Sequence, residues 1–316
     1  MSKMAFVFPG QGSQFVGMGA ELVHQSSAAR DIFQHADEAL GFSLSTLCFG
    51  GPEEELRLTA NTQPAILTMS VAVLAALREK MPGCTPDYVA GHSLGEYSAL
   101  VAAGSLSFSD AVKAVRARGQ FMEEAVPAGQ GAMAAVLGME RSALQAVCEE
   151  VSSSGHPVQL ANMNSPGQIV ISGSAEGVKR AGELAKTNGA KRVMPLNVSG
   201  PFHSSLMQPA ADKLKHVLAE IQVKDAAVPV VANVTARPVS AAAEIVDSLV
   251  QQVASPVLWE DSVLWMVEHG VTTFVEIGPG KVLAGLIKKI APADVKIYSV
   301  QDMESLTELV DGGVVC

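Results

Sequence analysis

The chain has 316 residues, more than one core usually holds, so one large domain with an insertion or two domains is expected. Apolar residues make up 48% and charged residues only 17%, which suits an enzyme built on a deeply buried sheet. Twenty-two basic against thirty-two acidic side chains leave a net charge of −10, which argues against non-specific nucleic-acid binding through a basic surface.

In chain order, the apolar run Met4 to Pro9 is too short for a signal peptide or a membrane span, and Met4 to Phe8 reads as a buried first strand. No other stretch is expected to cross a membrane. Gly10 to Ser13 is a glycine-rich loop, and Ala28 to Leu40 and Pro64 to Lys80 read as helices. The second opens with Thr62-Gln63-Pro64, placing proline near the first turn, where its missing N–H matters least. Tyr88-Val89-Ala90 ends a strand, Glu96 to Ala103 is a small-residue helix, and Ser109 to Val126 has apolar residues at helical spacing.

The pattern changes near Pro127-Ala128-Gly129-Gln130-Gly131. Strand Ala132 to Leu137, helix Arg141 to Val151, and strands Val158 to Asn162 and Gln168 to Ser172 follow. Helix Glu176 to Thr187 and strand Arg192 to Asn197 complete a β-α-β-β-α-β unit of ferredoxin-like type, with Asn164-Ser165-Pro166-Gly167 as its hairpin turn. Residues 128–198 therefore read as an insert, and 1–127 with 199–316 as a larger α/β domain. Helix Leu206 to Ile221, strand Val228 to Asn233, helices Ala241 to Val253 and Trp259 to Glu268, and strand Thr273 to Ile277 resume the α/β alternation. Gly278-Pro279-Gly280-Lys281 begins another helix, and Val295 to Val300 is the last strand.

Gly91-His92-Ser93-Leu94-Gly95 has the form G-x-S-x-G, in which a sharp strand-to-helix turn exposes a serine hydroxyl for attack on an acyl carbon. A serine near neutral pH needs an adjacent base. His92 is nearest in sequence, but neighbours on a sharp turn point apart, so it is assigned a packing or supporting role. His24, His35, His216 and His269 read as surface positions, and His156 lies in a Ser/Gly-rich loop. His203, in the loop Val198 to Ser205, is open to two readings, the base or an ordinary satisfied loop histidine. Leu94 supplies the expected first backbone donor to an oxyanion, and the Pro9-Gly10-Gln11-Gly12-Ser13 loop can bring a second. That loop fits neither a dinucleotide fingerprint, because Phe15 stands where glycine is required, nor a P-loop, because Met18 follows Gly17. Gly278 to Lys281 reads as a structural turn rather than an anion site. Arg116 and Arg118 lie two apart on one helix and face different ways, which leaves one to the surface and the other inward, and Gly119 offers a place for close approach; by composition alone each reads as a salt-bridged surface residue. Cys48, Cys84, Cys148 and Cys316 form no C-x-x-C pair, which argues against zinc and for a reducing cytosolic setting.

With Pro9 to Gln14 (PGQGSQ), Gly91 to Leu100 (GHSLGEYSAL) and Gly200-Pro201-Phe202-His203 in order, the chain resembles the discrete bacterial malonyl-CoA:acyl carrier protein transacylases over nearly its whole length. The resemblance implies an α/β-hydrolase-like core with a central parallel sheet and a ferredoxin-like insert. It also implies Ser93 as nucleophile, His203 as base, and Gln11 and Leu94 as oxyanion donors. Arg118 matches the arginine that holds the malonyl carboxylate. Gln252 matches the glutamine whose backbone carbonyl orients the histidine; the Gln251-Gln252 doublet is placed in register by Ser255-Pro256-Val257.

The implied activity is transfer of malonyl from malonyl-CoA to the phosphopantetheine thiol of acyl carrier protein through a malonyl-serine, for fatty acid synthesis. No cofactor or metal is implied. A cytoplasmic monomer acting without nucleic acid or membrane is expected. Because acyl carrier protein is itself expected to be acidic, docking needs a local basic patch. Candidates are Lys179, Arg180, Lys186, Lys191 and Arg192 on the insert, with Lys281, Lys288 and Lys289 elsewhere. The alternative is a serine hydrolase or thioesterase of related fold, in which His269 would have to be the base.

Overall fold

A parallel sheet whose strands end on one side sets the frame of the molecule. The computed structural model describes residues 2–312. Among these, ten strands run in chain order as β1 (Lys3–Phe8), β2 (Tyr88–Gly91), β3 (Gly131–Leu137), β4 (Val158–Ser165) and β5 (Gln168–Ser174), then β6 (Arg192–Pro195), β7 (Val230–Ala232), β8 (Arg237–Val239), β9 (Val271–Ile277) and β10 (Lys296–Val300). They form a six-stranded sheet, β10-β9-β1-β2-β7-β8, and a four-stranded sheet, β4-β5-β3-β6.

The large sheet is parallel except for β8, which pairs antiparallel with β7. Its central strand β1 is an unbroken apolar run because both faces are covered. Met4, Phe6 and Phe8 join the core beneath helix Thr59–Lys80, while Ala5 and Val7 join Trp259 and Val263 on the other face. Since β1 and β2 are parallel neighbours, with Phe8 opposite Gly91, the loops that leave them emerge side by side. In open parallel sheets, ligands bind in the crevice beyond these carboxyl ends.

The four-stranded sheet is antiparallel throughout, and its order is that of a ferredoxin-like unit. Alternation along β3 divides its residues between two cores. Ala134 and Val136 pack with Leu144, Val147 and Ala181 of its own helices, whereas Met133 and Ala135 turn to the large core. The fold is thus a mixed α/β structure with a central parallel sheet and a second, antiparallel sheet laid against it.

The structure adjusts several sequence expectations. The helix expected from Pro64 begins at Thr59, with Leu58 accepting from the Asn61 and Thr62 N–H groups, so Pro64 lies inside the helix. This helix, Thr59–Lys80, is long and apolar enough to cross a bilayer by length and composition, a property the sequence reading did not assign to it. Its most apolar stretch is 89% buried inside the protein, where it forms the central helix of the core. Short elements escaped the periodicity: helices Leu22–Gln25, Leu44–Gly50 and Glu53–Arg57, strand β8, and helix Met303–Asp311, which opens with a capping box between Asp302 and Ser305. Cys48 and Cys148 are buried free thiols, and Cys316 lies outside the described residues.

The elbow depends on missing side chains. A Cβ on Gly95 would collide with the carbonyl oxygen of Phe8, and one on Gly91 with the Gly95 carbonyl. Gly95→Ala should therefore lower unfolding free energy in urea by about 2 kcal/mol or more, as backbone cannot give way like a side-chain tip. Gly285, exposed in helix Val282–Ile290 with open space around it, is the control; its change to alanine should be neutral or stabilising by up to about 1 kcal/mol.

Candidate active site

Ser93 follows β2 and adopts φ 52°, a left-handed conformation that a non-glycine residue holds only when its surroundings enforce it. His203, 3% exposed, shares this feature at φ 58°. The His203 Nε2 atom lies 2.7 Å from Ser93 Oγ, and Nδ1 lies 2.9 Å from the Gln252 carbonyl oxygen. A carbonyl can only accept, so Nδ1 carries the proton and Nε2 is free to accept one from the serine. Gln252 ends helix Ala242–Gln252 and is fully buried, while its neighbour Gln251 is exposed.

Arg118 is not the surface residue that composition alone implied. Helix Phe108–Glu124 lies so close to the start of helix Thr59–Lys80 that a Cβ on Gly119 would meet Thr59 and Ala60 backbone. This approach buries Arg118 to 1% exposure. Its guanidinium donates to Gln63 Oε1 at 2.7 Å, Gln252 Oε1 at 2.9 Å and Ser93 Oγ at 3.1 Å. Among the described residues it forms no ion pair, and its Nε has no partner. A cation so placed, held by neutral amides beside a hydroxyl, favours an anionic group entering the cleft. Arg116 points elsewhere, to Asn61 and the Phe42 ring.

The Gln252 amide also donates to the Ser93 carbonyl at 3.0 Å and to Glu96 Oε2 at 3.0 Å. Burial raises the Glu96 carboxyl to about 7, opposed by hydrogen bonds from Asn233 and Gln252 and by the Arg118 charge. Burial, then the neighbouring Arg118 cation, pushes His203 down to about 3. His92 is lowered mainly by burial; its Nε2 lies 2.8 Å from Asn164 Oδ1, so it ties the elbow to β4 and does not reach the serine hydroxyl.

Ser93, His203, His92, Arg118 and Gln63 line a cleft of about 160 Å³ between the ends of the parallel strands and the antiparallel sheet, walled by Met122, Met133, Val170 and Phe202, while Gln252 and Glu96 lie behind it. Gln11 lies in the loop after β1, its amide 3.3 Å from Thr59 Oγ1. Gln11 and Leu94 line the cleft, and their backbone N–H groups donate to no group among the described residues. A second depression of about 420 Å³ adjoins through Gln11, Leu196 and Val198 and carries Phe15, Leu56 and Arg57 on its walls. Among the described residues no His, Cys, Asp and Glu side chains are grouped to hold a metal ion.

Sequence reasoning missed Gln63, Glu96, Asn162, Asn164 and Asn233. Their signal was polarity in apolar surroundings: Gln63 opens a nearly all-apolar stretch, and Asn233 closes the run Val228 to Ala232. His269, the base a hydrolase would need, is exposed and stacked on Trp265 at 3.8 Å.

Residues 5–307 match the acyl transferase domain family. The chain is 60% identical over 306 residues to the malonyl CoA-acyl carrier protein transacylase of Bacillus subtilis (strain 168), covering 97% of this chain and 96% of that protein. It is similar to the solved acyl-carrier-protein S-malonyltransferase of Burkholderia pseudomallei 1710b, with 48% identity, a TM-score of 0.94 and coverage of 98% and 99%. It is equally similar in fold to the malonyl-transacylase PlMCAT, solved in complex with the type II PKS acyl-carrier protein AntF, with a TM-score of 0.94, 44% identity and coverage of 99% and 100%.

An imidazole held neutral by burial should show no protonation in an NMR titration from about pH 8 to about pH 5, with His203→Gln assigning the resonance. A midpoint near 6.5 would contradict the observed burial. The unfolded chain binds this proton near 6.5 and the folded chain only near 3, so this group's contribution to stability falls as pH drops through that window. Unfolding free energy of His203→Gln should accordingly depend less steeply on pH there.

Proposed function

This chain belongs to the acyl transferase domain family, and we propose that Ser93 is the residue on which it carries its acyl group. The enzyme is an acyltransferase that moves malonyl from malonyl-CoA to the thiol of acyl carrier protein, supplying fatty acid synthesis. The observation that carries the site assignment is the buried Arg118 guanidinium, paired with no carboxylate among the described residues and 3.1 Å from Ser93 Oγ.

His203 Nε2 takes the hydroxyl proton as Ser93 Oγ attacks the thioester carbon. The developing oxyanion is met by the free N–H groups of Gln11 and Leu94. The C–S bond breaks, and the departing thiolate takes the proton from His203 to leave as a thiol. The carrier's phosphopantetheine thiol then attacks the malonyl-serine by the reverse route, in a ping-pong cycle. Histidine is oriented here by the Gln252 carbonyl and not by a carboxylate, so the site is a Ser–His pair. The outer depression between Phe15, Leu56 and Leu196 suits the slender pantetheine arm of either thiol.

Arg118 selects the acyl group. Malonyl brings a carboxylate to the buried cation, while acetyl leaves that cation without a counter-charge. We assign 128–198 as the insert that closes the cleft. We also read the protein as a cytoplasmic monomer that needs no cofactor, nucleic acid or membrane. For docking of an acidic carrier, Lys281 is the best placed of the basic candidates, because Gly280 packs beside Ser13 of the Gln11 loop. Arg180 is already paired with Glu176, and Lys289 reaches Gln168.

Intact-protein mass spectrometry after malonyl-CoA treatment should show one malonyl group on the wild type and none on Ser93→Ala. His203→Ala should acylate about 100-fold more slowly or worse. Arg118→Ala should lower the malonyl-over-acetyl ratio of kcat/KM by at least about tenfold; an unchanged ratio would refute its role.

A further inference from the structure

The strained turn at Ser93 is held by a side chain that the mechanism above does not use. Asn233 follows β7, the neighbour of β2, and is fully buried. Its Nδ2 donates to the Gly91 carbonyl at 2.7 Å, and its Oδ1 accepts the Ser93 N–H at 2.8 Å. One planar amide therefore bridges the two limbs of the elbow. The pairing also fixes which amide atom is which, since the Gly91 carbonyl needs a donor and the Ser93 N–H an acceptor.

Asn233 is itself fixed from three sides. Its backbone N–H donates to Glu96 Oε2 at 2.9 Å, its carbonyl accepts from Leu258 N at 3.0 Å, and the Gln252 amide approaches its Oδ1 at 3.3 Å. Only a side chain with both a donor and an acceptor meets both needs of the turn. An aspartate would accept from Ser93 N but confront the Gly91 carbonyl with a second acceptor.

We infer that Asn233 is a positioning residue for acyl transfer, locking Ser93 in its left-handed conformation and drawing the Ser93 N–H away from the cleft, so that the Leu94 N–H faces the oxyanion. The inference rests on Ser93 being the acylated residue. At φ 52° a serine is strained, and without the clamp its peptide relaxes by rotating. Rotation carries Oγ out of reach of His203 and re-aims the Leu94 N–H. The Arg118 subsite, built on Gln63 and Gln252, stays where it is.

The test uses the full-length enzyme with Asn233→Leu, which keeps the shape without the amide, and Asn233→Asp, which keeps only the acceptor. Single-turnover release of coenzyme A from malonyl-CoA should slow by about 100-fold in both, as for loss of an oxyanion donor. Malonyl-CoA affinity, measured with the same changes placed in Ser93→Ala, should stay within about threefold, because binding does not need the turn. Loss of affinity in step with rate, or a folded variant at near wild-type rate, overturns the inference. Amide hydrogen exchange on the wild type needs no variant to fold: the Ser93 N–H should be protected and the Leu94 N–H should not. Equal exchange of the two also overturns it. If the wild type takes no malonyl on Ser93, the underlying functional reading fails instead, while the exchange result still reports on the clamp.

Discussion

Gln252 ties together the three groups that face the cleft. Its backbone carbonyl accepts a hydrogen bond from His203 Nδ1, and its side-chain oxygen accepts one from Arg118. Its amide nitrogen is shared among the Ser93 carbonyl, Glu96 and Asn233. Among side chains this buried each of these bonds is stronger than it would be in water, and each unpaired group would be more harmful. His203, Arg118 and Ser93 are therefore coupled through one residue, each held by a different atom of Gln252.

That coupling is possible because distant chain segments converge on one end of a parallel sheet. The loops after β1, β2 and β7 bring Gln11, Ser93 and Asn233 side by side. Three helices packed in the large core add Arg118, Gln63 and Gln252, and the segment that returns from the antiparallel sheet delivers His203. The sheet supplies direction, the close helix pair at Gly119 supplies burial, and the antiparallel sheet supplies the opposite wall.

Much of this was legible in the sequence. Unbroken apolar runs marked the buried strands, the G-x-S-x-G motif marked the sharp turn at Ser93, and the β-α-β-β-α-β order marked the second sheet. Arg118 shows where local reading stops. Composition alone made it a surface residue, while helical spacing left either Arg116 or Arg118 to face inward and could not say which, because the amide that receives Arg118, Gln63, lies 55 positions away. Asn233 and Glu96 were invisible for the same reason: an asparagine at a strand end and a glutamate at a helix start have ordinary local explanations. Their partners lie 140 and 137 residues away. Resemblance to a family found Gln252, which spacing alone could not.

The division of β3 between two cores has a consequence for how this enzyme can change. Met133 and Val170, which line the cleft, are also interior residues of the large core. Widening the cleft for a bulkier acyl group means carving a void in that core, and such voids destabilise by about 2–5 kcal/mol for a large-to-small change. Substrate range and thermal tolerance are thus the same variable at these positions. A lineage seeking a broader diet would have to become sturdier elsewhere first.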